Sequence, residues 1–464
     1  MNAEDKLWIE KGGDLSRVIR HFNSVTELAK LFYDVQPIYY DEVKKWWLWN
    51  RKEYKWVMVD ETTIMCAIED ALDEDEGNHT VQNKMKNETL EALRRIGRRH
   101  APEPMKPTWV QFKDQIYDIA TGEHFESTPK YFASNPLPWK VGDSMDTPTI
   151  DRLLCEWIYK PDYQDESWAN TLLEVIAYSM LSTQPLQRIF ALTGAGANGK
   201  GTYLKLIKKF IGTDNIAATE LRLLTSRNFE SSALYKKLIV FMSEVQEQDM
   251  KSTNMIKALS GEDPIRYEFK GKDTFQEQSY TTCIIATNAL PTTNDRSAGF
   301  YRRWLIIDFP NQFEIRPNLI ENIPEVEFEN LAAKCIAKAK DLLETGKFTN
   351  EGSMEERNAR YEARSNPLAH FINAFYDEDT DGYTVFKEFY ESLQVWLVNN
   401  NHRKLTTKAT SNLLKELGWT VKTKDIRTST GFQDEWGHEK VDWKTKTLIF
   451  GIRRKNELKT SDLS

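Results

Sequence analysis

The chain has four cysteines in 464 residues, Cys66, Cys155, Cys283 and Cys335, far apart and without a CxxC pair. That argues against a disulfide framework and against a zinc ribbon. No apolar run approaches the ~20 residues of a membrane span, so no membrane partner is expected. The opening Met1-Asn-Ala-Glu-Asp-Lys6 lacks the basic-then-apolar pattern of a secretory signal. A cytoplasmic location is the expectation. No repeat of fixed period appears, and low-complexity sequence is scarce. Positive charge is missing too: 62 Lys+Arg stand against 70 Asp+Glu, a net charge of -8. Taken alone, that balance discourages a nucleic-acid partner.

What is present describes a globular chain. Hydrophobic residues make up 40% and aromatics 12%, and the length suggests about three domains. The 14 Trp are expected as core or interface anchors. Residues 1 to about 165 are rich in Trp and Tyr, broken by Asp, Pro and Gly. The acidic stretch 70–76 reads as a solvated loop, and a basic helix is expected over 81–100, ended by Pro102, Pro104 and Pro107.

From about 166 to 346 the pattern changes. Apolar runs Ile189–Leu192, Leu238–Met242, Cys283–Ala286 and Trp304–Ile307 alternate with helical stretches. That is the signature of a parallel sheet covered on both faces. The tail, 347–464, shows helical spacing over Phe386–Leu397 and Leu405–Leu417, with Gly418 at a C-cap position. Trp419–Thr423 and Lys446–Ile452 alternate as strands. The tail reads as a winged-helix candidate, or as a helical subdomain with a hairpin.

The strongest local signal is Gly194-Ala-Gly196-Ala-Asn198-Gly199-Lys200-Gly201-Thr202. It follows an apolar strand and opens the helical stretch Tyr203–Phe210, the setting a phosphate loop requires. Glycines let backbone N–H groups wrap phosphates, the helix N-terminus adds its dipole, and Lys200 supplies a point charge. The usual hydroxyl after the Lys is replaced by Gly201 and comes one later, at Thr202, the candidate for holding Mg²⁺. This Gly-Lys-Gly-Thr variant also resembles nucleoside monophosphate kinases. The loop alone therefore specifies nucleotide binding, with ATP as the expected ligand.

Three further segments follow. Leu238–Met242 leads into Ser243 and Glu244, and a carboxylate at such a strand end can order Mg²⁺ or polarise an attacking water. Glu247 is a second candidate for whichever role Glu244 leaves open. The run Cys283–Ala286 leads into Thr287 and Asn288, whose amide can reach a γ-phosphate or the water. Arg302 and Arg303 precede the last run, where a trans arginine finger would sit.

This ordered set resembles the superfamily 3 helicases of the AAA+ class, in the phage and plasmid primase-helicase branch that includes the poxvirus proteins. Leu259-Ser-Gly-Glu-Asp263-Pro264-Ile265 and Thr287-Asn-Ala-Leu-Pro291 are similar to that branch's connecting text. The aromatic segment from Phe32 to Trp56 resembles its helicase-associated N-terminal domain. The resemblance implies an α/β chain: an AAA+ P-loop NTPase core (166–346), a mixed α/β N-terminal domain (1–165) and a C-terminal winged helix (347–464). It further implies an ATP-dependent, homo-hexameric ring of a mobile element, translocating 3′ to 5′ on single-stranded and forked DNA in a bacterial, archaeal or virus-infected cell. Ile265–Gln276 reads as a β-hairpin turning at Gly271. By the same resemblance, Lys270 and Lys272, with Arg266 behind them, would grip DNA in the channel.

Two other readings share these motifs. An origin-binding initiator or loader would use ATP without processive unwinding. A small-molecule kinase is suggested only by Gly-Lys-Gly-Thr. Primase chemistry needs paired aspartates on a strand. The clusters Asp73–Glu76 and Asp377–Asp381 read as loops, so any primase, or a polymerase, would be a separate partner. Counted by region, residues 401–464 carry +6, from 14 basic against 8 acidic side chains, and residues 1–400 carry -14. DNA contact is therefore expected at 265–276 and beyond 400, with Leu405–Leu417 as the groove-facing helix.

Overall fold

The computed structural model describes residues 24–73, 83–159, 167–194, 196–220, 223, 228–243, 253–261, 263–269, 273–288, 290–291, 293, 295–400, 402, 404–433 and 439–455. The chain is mixed α/β, organised on a parallel sheet.

The N-terminal part begins with helix Val25–Val35, capped by Ser24, whose hydroxyl accepts from the Glu27 N–H. Strands β1 (Ile38–Tyr40), β2 (Trp46–Asn50) and β3 (Lys55–Val59) form an antiparallel meander. Helices Glu61–Asp73 and Asn83–Arg99 follow. The expected basic helix is thus present. The acidic stretch is not wholly a loop: 70–73 complete the first of these helices, while 74–76 lie outside the described residues. Ala71 and Leu72 are strong helix formers that continue the apolar spacing of Ile64, Ala67 and Ile68. Short strands β4 (Glu103–Pro104) and β8 (Tyr131–Phe132) pair in parallel. Between them, β5 (Trp109–Phe112), β6 (Gln115–Asp118) and β7 (His124–Glu126) form a second meander.

The central sheet contains β9 (Ile189–Thr193), β10 (Ile216–Thr219), β11 (Ile239–Ser243), β14 (Thr282–Thr287) and β15 (Trp304–Asp308). Its order is β10-β11-β14-β9-β15, all parallel. Four of the five strands are the apolar runs read from sequence. The edge strand β10, Ile-Ala-Ala-Thr, is too short and small in side chain to stand out. On one face pack helices Pro148–Ile158, Ser167–Tyr178, Lys200–Ile211 and Glu325–Thr345, through residues such as Trp157, Tyr178, Phe210 and Phe328. On the other face, Trp47, Trp49 and Trp56 of the first meander share a buried cluster with Ile189, Val240 and Tyr235. The tryptophans are indeed anchors: Trp47, Trp49 and Trp56 fasten the N-terminal meander to the parallel sheet.

Between β11 and β14 stands an antiparallel hairpin, β12 (Pro264–Tyr267) and β13 (Phe275–Gln278), as the alternation predicted. The C-terminal part holds helices Pro367–Phe375, Phe386–Asn399 and Thr407–Glu416. Beside them lies a sheet of β16 (Tyr376–Val385), β17 (Thr420–Gln433) and β18 (Glu439–Arg454), ordered β16-β18-β17. Two expectations change here. The hairpin strands extend well past 423 and start before 446. Asp377–Asp381 lie on strand β16 rather than in a loop. Cross-strand cations explain that placement, since Asp379 pairs with Arg453 at 2.7 Å and Asp377 with Lys455 at 3.7 Å.

Candidate functional site

Strand β9 lies between β14 and β15. The chain leaves β9 for one side of the sheet and returns on its other side as β15. Such a switch opens a crevice outside the carboxyl ends of the strands. Residues 194–199 begin there. Gly194 adopts φ 142° and Gly199 φ 92°, both in the region that glycine tolerates. A Cβ on Gly199 would lie 2.5 Å from the Trp157 ring, and one on Gly194 would lie 2.5 Å from the Phe309 carbonyl oxygen. Gly199 is also the N-cap of helix Lys200–Ile211. The loop thus hugs its own protein floor and turns the helix N-terminus outward. Around Gly196 and Gly201 nothing lies within 4 Å of an added Cβ, so these two border open space.

Lys200 is buried, and its Nζ donates to the Gly194 carbonyl at 2.7 Å and to Asn198 Oδ1 at 3.0 Å. Asn198 Nδ2 in turn donates to the Phe309 carbonyl at 3.2 Å. Burial pushes the Lys200 ammonium down to about 8. Thr202 sits half-buried in the helix's first turn. One residue of helix turns about 100°, so Thr202 points well away from the direction a hydroxyl at 201 would take.

The register brings the neighbouring strand ends to the same edge. Thr193 lies beside Thr287 and beside Asp308. Asn288 therefore leaves β14 next to the glycine-rich turn after β9, and it is exposed. Ser243 ends β11 opposite Ala286. Glu244 and Glu247 lie outside the described residues, although Ser243 delivers the chain to this edge.

The arginine pair lies elsewhere. Arg302 and Arg303 precede β15, whose first residue aligns with Ile189 at the start of β9. They occupy the edge of the sheet opposite residues 194–199. Arg303 is buried, donates to the Gly299 carbonyl, and has an Nε without a hydrogen-bond partner among the described residues. Burial, with Arg302 beside it, holds its guanidinium below the usual value. Arg302 is exposed and donates to Gln187 Oε1 at 2.6 Å. Of the two, Arg302 is the one that a neighbouring molecule can meet.

Arg266 is exposed on β12. Lys270, Gly271 and Lys272 lie outside the described residues. The hairpin leans on the N-terminal meander: Lys44 pairs with Asp273 at 2.9 Å, and Lys45 Nζ lies 3.7 Å from the Phe269 ring centroid.

Sequence reasoning missed one feature. Asp308 accepts from the Thr193 hydroxyl through one oxygen, and from Arg364 Nη2 at 2.6 Å through the other. Arg364 also donates to the Asn400 carbonyl at 2.6 Å and faces His402 Nε2 at 3.2 Å. Burial, then the nearby Arg364, pushes the His402 imidazole down to about 3, so it is neutral and accepts. Beyond Asp308 opens a cleft of about 380 Å³ lined by Trp168, Pro310, Arg360, Trp396 and His402. Arg360 covers the Trp168 ring at 5.2 Å, and Trp396 stacks on His402 with centroids 5.6 Å apart. The one available signal was Asp308 itself, another polar residue ending an apolar strand.

Residues 192–303, from the end of β9 to the arginine pair, match a family described only as a family of unknown function (DUF5906). A stretch of 212 residues, 44% of the chain, is 26% identical to the "Putative helicase L207/L206" of Acanthamoeba polyphaga mimivirus. That match covers 22% of the viral protein, so the chain spans about a fifth of its relative's length. Among solved structures, the apo form of the NrS-1 C-terminal region (305-718) is similar at TM-score 0.46 and 16% identity, over 93% of this chain and 100% of that one. The A form of the same region gives TM-score 0.45 and 15% identity, over 91% and 98%. No helix among the described residues is long and apolar enough to cross a membrane.

Proposed function

We propose that the chain is an ATP-hydrolysing DNA helicase of the superfamily 3, AAA+ type, acting as a homo-hexameric ring with 3′ to 5′ polarity. The observation that carries this reading is the division of the sheet. One edge gathers the phosphate loop, Asn288 and the strand leading to Glu244. The opposite edge exposes Arg302. A site whose arginine lies on the far side of its own subunit is completed by a neighbour, as a ring of identical subunits provides. The helicase description of the viral relative agrees with this, over the segment the two share.

In this reading the phosphates lie on the backbone N–H groups of 196–200, with Lys200 against them. The cradle fits: its floor is closed by Trp157 and Phe309, and its outer side is open at Gly196 and Gly201. The nucleoside end enters the cleft beyond Asp308, between the Arg360–Trp168 and Trp396–His402 pairs. Asn288 contacts the γ-phosphate or the attacking water, and Glu244 orients and deprotonates that water. Arg302 of the adjacent subunit stabilises charge as the phosphoryl group leaves. Glu244, with Thr202 reaching through water rather than directly, would hold magnesium, which would supply charge neutralisation when bound. The hairpin 265–276, with Arg266, Lys270 and Lys272, follows single-stranded DNA through the ring. Residues 1–165, 166–346 and 347–464 form the N-terminal, motor and winged-helix domains.

Strand displacement on a forked duplex tests the reading. The chain should separate a fork with ATP, and Lys200→Ala should not. ATP hydrolysis without displacement would favour the initiator or loader instead.

A further inference from the structure

The C-terminal excess of positive charge has a definite place. Side chains alternate across a strand, and directly opposed residues of an antiparallel pair share a face. In the β17–β18 register, Lys424 stands opposite Lys446, Lys422 opposite Leu448, and Ile426 opposite Lys444. All four lysines therefore lie on one face. The other face holds Thr423 beside Thr447 and Asp425 bonded to Thr445. Nearer the helices, that second face turns Val421 and Ile449 into the C-terminal core. On the lysine face Lys422, Lys424 and Lys444 are exposed and Lys446 half-buried, while Leu448 at its inner end is buried.

Two features mark this face as built for an anion. Like charges directly opposite one another destabilise a sheet, yet Lys424 and Lys446 face each other with a lysine on the rung to either side. Among the residues whose side chains are described, no carboxylate pairs with any of the four; on β16, Asp379 pairs with Arg453 and Asp377 with Lys455. Asp442, opposite Thr428, shares the face beyond Lys444. Lys424 rests over the Phe450 ring at 4.9 Å, which directs its ammonium over the face rather than toward an acid. By contrast, helix Thr407–Glu416, the expected groove reader, carries only Lys408 and Lys415.

We infer that the lysine face of β17–β18, rather than helix Thr407–Glu416, is a docking surface for the phosphate backbone of duplex DNA. The four lysines span two rungs on either side of the 424–446 pair, roughly 13 Å, a length over which one duplex strand presents about four phosphates. Their heads are point charges without bidentate geometry, so they position backbone and read no sequence. A paired sheet is rigid, and a rigid duplex meets it without the ordering cost that a flexible single strand would incur.

The inference rests on the reading that this chain acts on DNA, and the test separates the two. Binding of the full chain to a 30-base-pair blunt duplex, and to a single strand of equal length, is followed by fluorescence anisotropy across salt concentrations. For Lys424→Gln/Lys446→Gln, the log-log salt slope on duplex should become shallower by roughly 0.9 per lysine, with affinity down roughly tenfold. Lys424→Arg/Lys446→Arg should bind duplex as the parent does, which guards against a folding artefact. An unchanged duplex slope, an equal loss on single strand, or a loss seen only with vesicles of anionic lipid would each overturn the assignment. A parent chain that binds neither DNA form would instead overturn the DNA reading itself.

Discussion

The phosphate loop and the lysine face of β17–β18 present positive charge on opposite terms. At the loop a single ammonium is buried, oriented by Gly194 and Asn198, and its burial works against its charge. On the hairpin four lysines share one face, three of them exposed and Lys446 half-buried, with like charges opposed across the strands. The first is a dry, directional site where one group counts for much. The second is a screened, collective one where each group counts for little. One suits a small ligand of fixed shape, the other a polymer of repeating charge. Both can occur in a chain of net charge -8 because each concentrates its cations locally.

The largest effect should come from the buried site. Lys200→Ala should lower ATP turnover by about 10²- to 10³-fold, the usual cost of removing one preorganised stabilising group. Steady-state phosphate release measures it. A loss under tenfold would mean that the loop's backbone carries the phosphates without the lysine, and the contrast would collapse.

Gly199→Ala comes next. The substitution forces a side chain into φ 92° and against the Trp157 ring at 2.5 Å. Together these should cost about 1–3 kcal/mol of stability, read as a lower melting temperature. Gly201→Ala, facing open space, should cost far less.

Protonation offers a third comparison. Lys200 is held at about 8 by burial, below the ~10.4 of a free lysine. A depressed ammonium opposes folding while it is charged, and that penalty fades as pH rises from about 8 toward the unfolded value. Bound phosphate restores the charge. ATP affinity should therefore fall as pH rises above about 8, by at most tenfold per unit, with proton uptake on binding. Calorimetry in two buffers of different ionisation enthalpy measures that uptake.

How much of this was legible in the sequence depended on whether a feature is local. The parallel sheet, the glycine-rich turn from strand to helix and the hairpin were readable, because each is written in a short run of residues. The partnership of Asp308 with Arg364 was not, since its members are 56 residues apart and meet only because helix Met354–Ser365 packs against β15. Nor could spacing show that Arg303 is buried while Arg302 is exposed; both lie in the turn before β15, and only packing decides which side chain faces inward. Asp377 and Asp379 read as a loop because their partners are distant in sequence, Arg453 on β18 and Lys455 just past its end. The lysine face was hidden for the same reason. Composition gave the tail its excess of charge, but only the register of β17 on β18 placed four lysines together.

The smallest effect is the most specific to the hairpin. If the lysine face is held against its own repulsion, Lys446→Gln should raise stability by a few tenths of a kcal/mol at low salt. The gain should vanish at about 1 M salt, where screening acts within ~3 Å. Lys200→Gln should show no comparable salt dependence, because a buried group is screened little. Melting temperatures of both variants at two ionic strengths decide the matter. A stabilisation of Lys446→Gln that persists in high salt would mean that packing, rather than repulsion, sets its energetics. The hairpin would then lose the feature that distinguishes it from an ordinary solvated strand pair.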